Sequence, residues 1–305
     1  MERESLFKDR SSSSIIATAY KVQTDNIGRI IKASWLPVLL ASLALSTLTA
    51  VLLPKSLPPT FSWLQLAAVV ILGIGSIVLW VWSFSRVMSL LNEQPRKWTL
   101  KRSALLILNL ILIYLVIEVV VGMLVAGAFW AFKAKTAELM SSAWWIIGLL
   151  VLLLIVVVLP IYYLSMRYLD KDEMRFWKHF FTCYKRGLRY TGYIFLTLFM
   201  CGIIMGILMA VVYMPIMTLY VANAASFIGM MNGDAPDMPT YFPILFWATA
   251  LITHFVSFFV MTYEVIVCYL MYGSIEKQEE DRQKTAVATV IEEKENEAEN
   301  IIHRP

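Results

Sequence analysis

Three ionisable side chains interrupt long apolar runs: Glu118, His254 and Glu264. A charge within a bilayer is costly, so such residues face a bundle interior or a water-filled path and often mark function. At about 100° per residue, Ala250, His254, Ser257, Met261, Glu264 and Cys268 share one helical sector of about 80°. Phe255, Phe259 and Ile266 lie opposite, with Phe258 on the flank, and that side suits lipid. Tyr114, Glu118, Gly122 and Ala126 form a second face at i, i+4 spacing, and its small residues let another helix approach. Gln65, Ala68, Ser76, Ser83 and Arg86 line a third.

Two chemistries fit these faces. One is a polar pathway for protons or a small solute, with Glu118, His254 and Glu264 as its steps. The other is a set of buried hydrogen bonds that holds helices in register. The most specific geometric expectation is that Glu264 faces the interior and meets Arg86, whose long side chain can bend along its helix. Tyr114 or Ser83 could instead donate to a neutral Glu264 carboxyl.

Gly202 and Gly206, continued by Ala210, make a small-xxx-small face for packing within or between protomers. Met200, Met205, Met209, Met214 and Met217, with Cys201 and His254, are soft copper(I) ligand types. They show no repeated ligand spacing, and thioethers fill cores well. No metal or cofactor is expected. The chain has no phosphate loop, zinc-protease helix or nucleophile elbow. No polar segment exceeds about 33 residues, too short for an appended soluble domain, so an enzyme is not expected.

The elements that must position these residues are membrane helices. Hydrophobic residues make up 59% of the 305 and charged residues 16%; soluble chains carry about 25% charged residues. The mean hydropathy is +0.68. A bilayer core needs about 20 apolar residues per helix, and six blocks qualify: about 33–53, 62–84, 103–132, 143–166, 190–215 and 243–272. The fifth run stays apolar to Phe227, and Pro215 is taken as the end of the span, with Met217–Phe227 as an extension of the helix. The expected fold is an all-α polytopic bundle of six spans, 33–272, between a lead over 1–32 and a tail over 273–305.

Of the 26 Lys and Arg residues, only Lys55, Lys133 and Lys135 fall on one set of connections. By the positive-inside rule both termini are cytoplasmic, in a bacterial cytoplasmic membrane. A net charge of +4 gives nucleic acid little to bind, so membrane lipids are the expected partners. Cys201 and Cys268 lie in spans and Cys183 in a cytoplasmic connection, so no disulfide is expected.

Two basic stretches mix aromatic or branched apolar residues with cations and suit helices in the headgroup layer. One is Ile15, Ile16, Tyr20, Ile27, Ile30 and Ile31 with Lys21, Arg29 and Lys32, after the Ser11–Ser14 helix-start signal. The other is Met174, Phe176, Trp177, Phe180, Phe181 and Tyr184 with Arg175, Lys178, Lys185 and Arg186. The acidic tail reads as polar, partly helical or disordered, or as a docking helix for a cytoplasmic partner.

Six spans, the Tyr20…Asn26…Arg29 lead and the Arg/aromatic stretch before the fifth span resemble a group of uncharacterised bacterial six-helix integral membrane proteins. These are related to the membrane domain fused to some glycerophosphodiester phosphodiesterases. The resemblance covers residues 12–274 and implies the fold; it carries over no catalytic residue, and this chain has no soluble phosphodiesterase domain. The expected role is handling a small solute or membrane component without catalysis. The alternative is a scaffold or adaptor acting through the tail and interfacial helices, and a homo-oligomer is compatible with either.

Overall fold

The computed structural model describes residues 6–53, 62–132, 157–172, 174–234 and 238–302, with backbone alone at 124–132, 290 and 292–302. Among them are seven helices and no strand: α1 (Ser12–Leu52), α2 (Trp63–Leu91), α3 (Arg96–Phe132), α4 (157–170), α5 (Phe176–Arg189), α6 (Thr191–Met231) and α7 (Phe242–Ile302). Five of these, α1, α2, α3, α6 and α7, are long and apolar enough to cross a membrane. The chain is a multi-pass membrane protein. Of the fourth expected span, 143–156 lie outside the described residues and 157–166 belong to α4.

Local chemistry sets the helix ends. The Ser11 hydroxyl accepts from the Ser14 N–H and starts α1. Ser62 and Gln65 satisfy each other's backbone N–H groups at the start of α2, a reciprocal cap. After α6, Gly233 takes φ +93°, a left-handed conformation open to glycine at no steric cost.

The helices are longer than the spans expected from the sequence. α1 and α6 each have 41 residues, about 62 Å at 1.5 Å per residue. The lead and first span are one helix, with no break near residue 32. α6 runs through Pro215 to Met231, so the extension beyond the proline is helical. α7 has 61 residues and carries the helix through the described part of the tail to Ile302.

α1 is the central element. It packs against α2, α6 and α7, while α2 also packs on α3 and α6 on α7. The reason is a face of small buried residues, Ser34, Ala41, Ser42 and Ser46 with Pro37 and Val38. Lipid is as apolar as leucine, so helices associate here by close packing and by hydrogen bonds worth about 0.6 kcal/mol each. Gln23 donates to the Phe259 carbonyl at 2.7 Å, Tyr263 to the Ile16 carbonyl at 3.2 Å, and Trp247 to Thr47 at 3.2 Å. α2, α3 and α6 turn large apolar side chains outward, among them Ile71, Leu108, Phe199 and Val211.

The lipid-facing side expected on the last span is corrected. Ile266 and Phe258 are buried, as is every residue from Ile266 to Ile275. The N-terminal half of α1, together with α4 and α6, surrounds this half of α7 and leaves it no lipid side. In the middle of α7 the exposed large apolar side chains are instead Ile252, Val256 and Met261.

Candidate functional site

One end of the bundle, the basic end, gathers residue 10, the α2–α3 connection, the α4–α5 corner and the continuation of α7. Arg102, on the first turns of α3, organises its corner. Its guanidinium donates to the carbonyls of Tyr168 at 3.1 Å, Lys171 at 3.0 Å and Met174 at 2.8 Å, and also to that of Asp172. It stacks 4.5 Å from the Tyr168 ring and 5.0 Å from the Trp98 ring. These carbonyls lie in the last turn of α4 and just past its end, where helix geometry leaves acceptors without intrahelical partners. Asn92 adds a 3.1 Å bond to the Leu169 carbonyl, and Trp98 donates to the Asp172 carboxylate.

Glu276 sits on α7 at the centre of a cationic cage. Lys171 donates to it at 2.9 Å, Arg167 at 3.0 Å and Arg186 at 3.4 Å, and the Tyr163 hydroxyl donates as well. Its side chain is only 15% exposed. Burial by itself raises the carboxyl pKa; the hydrogen bonds from Lys171 and Tyr163 and the Arg167 charge outweigh it, and the net shift is downward. Burial disfavours the charged forms of Arg167 and Arg186 too, yet contact with Tyr163 and Glu276 leaves both raised. One turn on, Glu279 accepts from Arg189 at 2.9 Å and Tyr190 at 3.1 Å. Together these bonds fasten α7 to α4, α5 and the start of α6.

Beside this fastening lies an open cleft of about 530 Å³, lined by Arg167, Asp170, Lys171, Asp172, Cys183 and others of the α4–α5 corner. Asp170 is buried and accepts from Tyr269 at 3.0 Å and Tyr272 at 3.2 Å. Asp172 lies 3.7 Å from Arg102. Burial pushes the Cys183 thiol up, which disfavours a reactive thiolate. All three cysteines are free and buried.

α5 presents three arcs. Phe176, Cys183 and Gly187 are buried against the bundle. Trp177, Phe181 and Leu188 are exposed on a second arc, Phe181 at 81%. Arg175, Lys178, Lys185 and Arg189 occupy a third. A single residue, Tyr190, separates α5 from α6.

The intramembrane residues singled out from the sequence are spread over the bundle. Glu118 is exposed on α3, beside exposed Tyr114 and Gly122; the Ala126 side chain lies outside the described residues. His254 and Glu264 are half-buried on α7. The His254 ring meets Tyr213 edge-on at 6.2 Å, and its backbone carbonyl accepts from buried Ser257 at 2.9 Å. A Cβ added at Gly202 or Gly206 would meet nothing within 4 Å, and Ala210 is exposed.

The expected Arg86–Glu264 pair does not form within 4 Å. The Arg86 guanidinium lies 5.7 Å from the Trp82 ring on its own helix. α1 packs against both α2 and α7, and it keeps the two helices apart along most of their length; Trp80 and Phe258, with rings 5.2 Å apart, are one place where they meet.

Arg102, Arg167 and Glu276 are the residues that sequence reasoning missed. One signal was available: Glu276 is the first acid after the last apolar block, and seven cations lie between 167 and 189. Comparison with protein-family models, curated proteins and solved structures finds no match to this chain.

Proposed function

We propose that the chain is a six-span protein of a bacterial cytoplasmic membrane, with the basic end and both termini in the cytoplasm, that handles a membrane component without catalysis. The topology follows from the distribution of Lys and Arg, and the resemblance to the six-helix group points the same way. One observation carries the choice of a membrane component over a transported solute. An apolar groove of about 610 Å³ opens between α1, α6 and α7, lined by Ile16, Tyr20, Ile27, Ile204, Leu208 and Tyr263 among others. Gln23 and Thr24 supply its polar edge. A concave apolar wall with a few polar groups suits the acyl chain and headgroup boundary of a lipid. Glu118 is exposed on α3 while His254 and Glu264 are half-buried on α7, so Glu118 does not face a bundle interior that the three could share.

The test is lipid identification by mass spectrometry on the protein purified in mild detergent, compared with Ile204→Trp and Leu208→Trp, which fill the groove. A retained lipid class in the wild type, lost in both variants, supports the reading. Equal retention in all three overturns it.

A second reading is favoured by the continuous helix of the tail. A rod projecting from the bundle, with exposed charges from Glu280 to Lys284, suits a scaffold that engages a cytoplasmic partner. Truncation after Lys284 spares Glu276 and Glu279. Loss of function in cells with lipid retention intact selects the scaffold.

A further inference from the structure

Three cations, Arg167, Lys171 and Arg186, converge on a single carboxylate, Glu276. Two of them, Arg167 and Lys171, also line the open cleft. Among the described residues its carboxylates are already engaged: Asp170 by two tyrosine hydroxyls and Asp172 by Arg102 and Trp98. The tyrosine bonds leave Asp170 its charge, so the described cations at this corner, Arg102, Arg167, Lys171 and Arg186, exceed the carboxylates Asp170, Asp172 and Glu276 by one. His179 and Thr182 of α5 and Gln94 of the α2–α3 connection complete the donor set. His179 Nδ1 donates to the Arg175 carbonyl at 3.1 Å. That bond leaves Nε2 to accept from the hydroxyl of a monoprotonated phosphate or, on a charged ring, to donate to its oxygens.

We propose that this cleft is a binding site for a phosphate-bearing anion, held by Lys171, Arg167 and His179, with Glu276 as its intramolecular competitor. Guanidinium and ammonium groups are the usual partners of phosphate, the first through paired donors and the second as a point charge. A volume of about 530 Å³ admits a phosphate with an attached small group. The phosphate can be free or can belong to a lipid headgroup, since the chemistry recognised is the same. Among the described residues the cleft shares no lining residue with the apolar groove, so this inference does not rest on the proposed function.

The test titrates the full-length protein, in neutral detergent, with inorganic phosphate in one arm and a water-soluble short-chain phosphatidic acid in the other. Sodium chloride at matched ionic strength is the control. Saturable binding in either arm, absent from the control, is expected, and the stronger arm identifies the source. Lys171→Gln, at a half-exposed position, should weaken it about tenfold, the loss of one charge-assisted bond. Glu276→Gln frees the cations and should tighten it, whereas Glu280→Gln makes the same charge change away from the cleft and should not. If Glu276→Gln fails to fold, Lys171→Gln and His179→Asn decide alone. No saturable binding in either arm overturns the proposal. So does unchanged affinity in Lys171→Gln, or equal tightening by Glu276→Gln and Glu280→Gln.

Discussion

The guanidinium of Arg102 donates to the Met174 carbonyl at 2.8 Å, across 72 residues of chain. This one side chain satisfies backbone acceptors on both sides of the α4–α5 corner while remaining 8% exposed. Replacing it by methionine keeps much of the bulk and removes every donor. A buried acceptor without a partner costs about 1–3 kcal/mol, so Arg102→Met should destabilise the protein by about 3 kcal/mol or more. The measurement is the thermal midpoint in detergent. A midpoint equal to the wild type would show that the corner does not depend on Arg102.

Acid should unfasten α7. The Glu276 pKa is depressed in the folded protein, so its contribution to stability is complete above the ordinary value of 4.5 and is lost as pH falls through the lower, folded value. Glu276→Gln should remove that dependence and leave the protein at neutral pH as weakly fastened as the acidified wild type. Hydrogen exchange at the amides of α4 and at 273–284 reads the loss. An acid response that persists unchanged in Glu276→Gln would assign it to other carboxyls.

Gly187 and Gly202 should answer alanine differently. A Cβ at Gly187 meets Pro160 Cα, Cβ and O at 3.0 Å, and the neighbour is backbone that cannot move aside cheaply. Overpacking of this kind costs about 1–3 kcal/mol. Gly202 and Gly206 have open space in the single chain, and alanine in a helix interior is favoured over glycine by about 0.5–1 kcal/mol. Thermal midpoints should therefore fall for Gly187→Ala and hold or rise for the other two.

Trp177 and Phe181 should sit below the headgroups, with Lys178 and Lys185 above them. Nitroxide labels at 181 and 185 in bilayers provide the check: oxygen should broaden the first and a water-soluble nickel chelate the second. Equal exposure of both to the chelate would lift α5 off the membrane.

The elements themselves were legible where the signal is local. The Ser11–Ser14 run announced the start of α1 through a local cap, whereas the equally local Ser62–Gln65 cap of α2 was not read from the sequence. The helical extension expected beyond Pro215 is present: the proline lacks one backbone donor, yet α6 continues through it for another 16 residues. The site was not legible, because its bonds join residues far apart. Glu276 and Arg167 are separated by 109 residues, and Arg102 and Tyr168 by 66. Periodicity places a residue on a face of its own helix and is silent on which helix that face meets. The Arg86–Glu264 expectation failed for the same reason, since nothing in either helix reveals that α1 lies between them.

A helix of 61 residues without an interior proline measures about 92 Å. Trp247 grips α1 near one end of α7, and Glu276 is gripped just past the midpoint. An intact helix has no hinge, so torque applied at the far end passes down this shaft and acts on the Glu276 collar. While the collar holds, the projecting segment stays still; once it slips, the same twist turns the tail about its own axis and shows a different row of side chains to its surroundings.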